Sequence, residues 1–154
     1  MMTKVKLPMP AGLILERAAA AGLKGADLAD AVRDQNRSAF KEAGISEESI
    51  DYILEFGAQN QEVWDSAVYH GYVFKFLSIR GLQNFLIARL GLKEGEDFVF
   101  YETFLDSVRI PADSLSSLKE TVPGNWMFTV IGNRGIYRIE HVTASAGASA
   151  VSKN

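Results

Sequence analysis

Cysteine is missing from this chain altogether. That excludes a disulfide framework, cysteine-ligated zinc, an iron–sulfur cluster and a thiol nucleophile. Histidine is nearly as scarce, with only His70 and His141 present. Neither stands in a His-x-x-x-His or Glu-x-x-His spacing, so no metal site is suggested. The chain also lacks a Gly-x-Ser-x-Gly elbow, a Walker-type loop and a dinucleotide glycine pattern, and no cofactor is implied. No apolar run approaches the length of about 18 residues that a membrane-spanning helix needs. The opening MMTKVKLPMPAGLIL has the lysines of a signal peptide, but Pro8 and Pro10 interrupt it and the apolar run Leu13–Leu15 is short. A cytoplasmic location is the expectation, and a reducing compartment agrees with the missing thiols.

What is present describes an ordinary globular composition. Of 154 residues, 47% are apolar and 23% charged, enough to bury a core without metal or cross-links. One globular domain is expected over residues 1–142, followed by a flexible Ala/Ser/Gly tail over 143–154 with little apolar bulk. The net charge of −3 disfavours a dedicated nucleic-acid binder, whose surface would need to neutralise phosphates.

Residues 12–58 read as helical. A first helix ends near Gly22, and a second runs from about Ala26 to Ala43 with Leu28, Ala29, Val32, Ala39 and Phe40 on its apolar side. A third opens on Ser46 as N-cap with Glu47 and Glu48 in its first turn, and Gly57 is read as its end. Residues 61–91 allow two readings. One long helix would place Lys75 in an apolar stripe and Gly71 and Gly81 in its interior. The favoured alternative is a helix over Gln61–Tyr69, a strand over Tyr72–Ile79 and a helix over Ile79–Leu90 capped by Ser78. Further on, Asp97–Phe104 reads as a strand, Val108–Ile110 as extended, and Asp113 as the cap of a short helix reaching Thr121. WMFTVIGNRGIYRIEHV, residues 126–142, has the period-2 pattern and turn chemistry of a hairpin. With Asn133-Arg134 as its loop, Val130 faces Tyr137, Phe128 faces Ile139 and Trp126 faces His141. The class is therefore α+β, an N-terminal helical cluster packed on a small, mostly antiparallel sheet that ends in a C-terminal hairpin.

Each motif has an ordinary reading beside a functional one. ERAAAAGLKGADLADAVRDQ has the outline of a helix-turn-helix, but Asp27, Asp30 and Asp34 would oppose phosphates, and two packed helices explain it better. From Ser66 to Lys93 there is no acid, while Lys75, Arg80, Arg89 and Lys93 interleave with aromatic residues. Such a segment suits a single strand or a phosphate ligand, although most of these rings are expected in the core. Lys75 between Phe74 and Phe76 is an amine nucleophile if desolvated, but a lysine that snorkels is commoner. Gly132-Asn133-Arg134-Gly135 offers backbone amides to an anion, yet joins two strands and lacks a helix N-terminus.

With no catalytic constellation in view, the expected role is that of a small accessory or regulatory protein acting by contact with another protein. Such chains are common among phage and mobile-element products and bacterial adaptors or inhibitors. Tyr69, Tyr72, Arg80 and Arg89 are the binding candidates, tyrosine because it joins apolar area to a polar tip. The acidic residues of the N-terminal half, among them Asp27, Asp34, Glu48 and Glu55, would steer toward a basic partner. The alternative is a small enzyme with a site between helices and sheet, using His70, Lys75, Tyr101 and Glu102. A third reading is a weak nucleic-acid or phosphate-ligand binder through residues 66–93. Homo-oligomer formation stays open.

Overall fold

A computed structural model of the chain describes residues 4–132 and 135–142. The expected tail over 143–154 and the hairpin-tip residues Asn133 and Arg134 lie outside the described residues. The chain is α+β, with seven helices and six strands among the described residues. Its contacts gather into two compact units, residues 1–77 and 78–154, inside what composition alone reads as a single domain.

The first unit runs β1 (Val5–Leu7), α1 (Met9–Ala20), α2 (Gly25–Arg33), α3 (Arg37–Glu42), α4 (Glu47–Gln59), α5 (Gln61–His70) and β2 (Tyr72–Phe74). Pro8 precedes α1 and Pro10 sits in its first turn, where a missing amide costs nothing, so the prolines start a helix. The expected second helix is two helices. Gln35 adopts a left-handed φ of 55°, and the Asn36 side chain accepts the Ala39 amide at 3.2 Å to open α3. Ser46 caps α4 as expected, its Oγ accepting the Ser49 amide at 3.3 Å. Gly57 does not end that helix, which continues to Gln59. A Cβ there would stand 1.9 Å from Val32 Cγ1, so the glycine is what lets α4 approach α2. The core holds Leu28, Phe40, Ile50, Ile53, Trp64 and Phe74, all fully buried.

The strand expected over Tyr72–Ile79 is real but only three residues long. It pairs in parallel with β1, Val5 opposite Tyr72 and Leu7 opposite Phe74. It is therefore not part of the C-terminal sheet. A three-residue strand such as β1 is too short to leave a periodic signal. The backbone of Lys75 extends the pairing, its amide donating to the Leu7 carbonyl at 2.9 Å.

The second unit holds α6 (Ile79–Leu90), β3 (Val99–Phe100), β4 (Phe104–Arg109), α7 (Leu115–Thr121), β5 (Trp126–Val130) and β6 (Ile136–His141). Ser78 Oγ accepts the Gly81 amide at 3.0 Å to start α6, and Gly91 ends it at φ 69°. The expected strand over Asp97–Phe104 is split, because the chain turns at 101–103 and the longer strand follows the turn. Asp113 does not cap α7, which follows Ser114 without a side-chain cap bond. The antiparallel sheet has the order β3-β4-β6-β5. The hairpin register is the one expected: Trp126 opposite His141, Phe128 opposite Ile139, Val130 opposite Tyr137. In β4, Ser107 has φ 54° and the register with β6 jumps between Leu105 and Val108. This bulge puts both Leu105 and Val108 on the buried side, each at 0% exposure. There α6 packs against β4, and Leu118 of α7 is likewise buried.

Candidate interaction surface

The residues singled out from sequence fall in different surroundings. Tyr69 and His70 end α5 with exposed side chains, and Lys75 is exposed just after β2. Tyr72 is a correction to the binding set. It is 3% exposed, and its hydroxyl donates to Glu16 Oε2 at 2.5 Å, so the ring belongs to the core. Arg80 lies with its guanidinium 4.1 Å above the Phe100 ring. Arg89 stacks on Phe85 at 4.8 Å and donates to Ser117 Oγ and Thr121 Oγ1, both at 3.2 Å. Its role is to tie α6 to α7. Tyr101 stacks on Phe104 at 4.6 Å, and Glu102 beside it is exposed.

Two of the four candidate catalytic groups, His70 and Lys75, belong to residues 1–77, and Tyr101 and Glu102 belong to residues 78–154. None of the four lines the clefts described here. One cleft of about 260 Å³ brings Glu96, Ser107 and Arg109 together beside the bulge, with no histidine or lysine in its walls. A second collects Asp27, Asp30 and Asp34, of which Asp30 is paired with Arg33 at 2.6 Å. Arg33 also reaches Asp65 at 2.7 Å, and both bonds raise its pKa, that to Asp65 more. Among the described residues no three His, Asp or Glu side chains gather as a metal site.

The surface that stands out is the outer side of β5. Among the described residues this strand has a neighbour on one side only, β6. Its sequence, Trp126-Met127-Phe128-Thr129-Val130, contains no charge, proline or glycine. Charge and proline are two of the devices that blunt sheet edges, and the β5 sequence has neither. The opposite edge is protected by brevity, since β3 has two residues.

Hydrogen-bond parity shows what this edge presents. The Ile131 amide donates to the Ile136 carbonyl at 3.0 Å, and the Val142 amide to the Asn125 carbonyl at 2.6 Å. Hydrogen-bonded pairs alternate along an antiparallel ladder, so Met127 and Thr129 bond inward to β6. The amides and carbonyls of Phe128 and Val130 consequently point outward. Their side chains are half-buried and 56% exposed respectively, and Met127 is 45% exposed. Phe128, opposite Ile139 in the hairpin, is only half-buried. The facing of the strand was expected, but its place at the edge leaves the ring partly covered.

Beside the strand runs a groove of about 430 Å³. Its walls include Lys119 from the last turn of α7, Val122, Pro123 and Gly124 from the connection, and Trp126 and Met127 from β5. Trp126 is 7% exposed and meets His141 edge-on at 4.8 Å. No signal in the sequence marks β5 as an edge, because strand order is settled by which strands pair. No family model, curated protein or solved structure matches the chain.

Proposed function

We propose that this protein acts by binding another protein, which lays an extended segment along β5. The observation that carries the reading is an uncharged edge strand with outward backbone groups and an apolar groove alongside. Strand addition uses these two parts together: main-chain hydrogen bonds supply affinity and a side-chain pocket supplies selectivity. The exposed apolar side chains of Met127 and Val130 favour contact over solvation. The earlier binding set contributes less, since Tyr72 is core and Arg80 and Arg89 are held against rings of their own unit.

The test is site-specific photo-crosslinking in the native cell. A photoreactive residue in place of Met127 should give one discrete adduct, and the same group at the exposed Lys24 should not. Adding Val130→Pro removes an outward amide without touching the β5–β6 bonds, so the fold should survive and the adduct disappear. An adduct pattern indifferent to Val130→Pro, in a variant that keeps its melting temperature, would sink the proposal.

A further inference from the structure

Resting on that reading of β5, we infer that the bound segment is acidic, an extended strand whose carboxylate meets Lys119 while an apolar side chain enters the groove beside Trp126. Among the described residues the groove has one charged lining residue, Lys119. Lys119 has no ion-pair partner among the described residues; its contact is with the Phe128 ring, whose centroid lies 6.0 Å from Nζ. The cation therefore stands over the strand that would receive the segment. β5 itself brings no charge of either sign to offset it. A segment laid on β5 partly strips water from Lys119, which favours a carboxylate and penalises a second cation.

The other occupants fit less well. Residues 143–154 follow Val142 at the groove wall, but they contain Lys153 and no acidic residue. A second copy of β5 would be as uncharged as the first and would leave both copies of Lys119 without a counter-charge. The walls also allow a direct intervention. A Cβ added at Gly124 meets nothing within 4 Å, so Gly124→Leu adds apolar bulk at the groove wall without a clash at the Cβ.

Binding should be measured on the full chain with short blocked peptides that alternate valine and threonine and differ only in carrying glutamate or lysine. Two-dimensional NMR would locate the site. The glutamate peptide should bind about tenfold more tightly, the combined effect of a gained and an opposed charge at a partly exposed site. Its contacts should shift the amides of Phe128 and Val130. Lys119→Glu should invert the preference, and Gly124→Leu should weaken the glutamate peptide with the spectrum of the fold intact. Equal affinities for both peptides, blocked by Val130→Pro, would overturn the acidic segment and leave the edge as a binding site. No binding of either, or binding that ignores Val130→Pro, would overturn both. A dimer seen by sedimentation and abolished by Val130→Pro would make a second copy the occupant and overturn the acidic segment.

Discussion

Residues 1–77 and residues 78–154 both expose apolar side chains, but in different settings: Tyr69 at a helix end and Phe76 in a connection in the first, Met127 and Val130 on an edge strand in the second. In the first unit Trp64, Phe40 and Phe74 are fully buried, and charges occupy the helix surfaces. Arg37 reaches Glu47 at 2.6 Å and Asp51 at 2.8 Å, and Arg33 joins α2 to α5 through Asp65. The second unit buries Leu105, Val108 and Ile139 in the middle of its sheet but leaves Met127 and Val130 open on β5. A helix bonds its own backbone and needs only one covered stripe. A sheet always has two outer strands, and their backbone groups must be paired, hidden or left available. The first unit's β1 and β2 are outer strands as well but only three residues each, so the longer, uncharged β5 gives the second unit the candidate surface.

The largest test of that contrast compares two aromatic truncations. Trp64→Ala empties a fully buried site and should cost roughly 3–5 kcal/mol in chemical denaturation. Phe128→Ala removes a half-buried ring at an edge and should cost roughly half of that. Equal losses would mean that β5 is as tightly packed as the first unit's core, and the surface argument would weaken.

The next effect is confined to the first unit. Gly57→Ala gains helix propensity of about 1 kcal/mol. It also drives a methyl into Val32 Cγ1, and overpacking of this kind costs about 1–3 kcal/mol. Net destabilisation is expected, and Val32→Ala in the same chain should relieve it. Additive losses in that double-mutant cycle would show that the close approach of α2 and α4 is not what the glycine serves.

The smallest effect concerns the charged surface. The Arg37 hydrogen bond, with Lys41 beside it, lowers the Glu47 pKa below its ordinary value. A carboxyl with a depressed folded pKa adds stability above its unfolded pKa and loses it as pH falls through the folded one. Glu47→Gln should therefore lower the melting temperature slightly near neutral pH, and the difference should vanish in acid. Because the pair is exposed, salt should shrink it as well. A difference that persists in acid would assign the loss to something other than the ion pair.

Much of the local structure was written into the sequence. Ser46 and Ser78 mark their helices because a hydroxyl just before a helix has an orphan amide to accept, and both do so. The hairpin register followed from alternation around a glycine-bounded turn, and every strand pair of β5 and β6 agrees with it. Glycine was the weaker guide. Gly91 ends a helix through its left-handed φ, whereas Gly57 sits inside one because a neighbour needs the space, and the same letter stands for both. The sequence determined the serine-capped helices and the hairpin with its register, since these depend on residues a few positions apart. Tertiary structure decided that Tyr72 is covered, that β2 pairs with β1, and that β5 is outermost. Those outcomes depend on partners as much as 60 residues away, as the contact of the Tyr72 hydroxyl with the Gly12 carbonyl illustrates. Local periodicity carries no record of such partners, so the candidate surface became visible only once the strands were ordered.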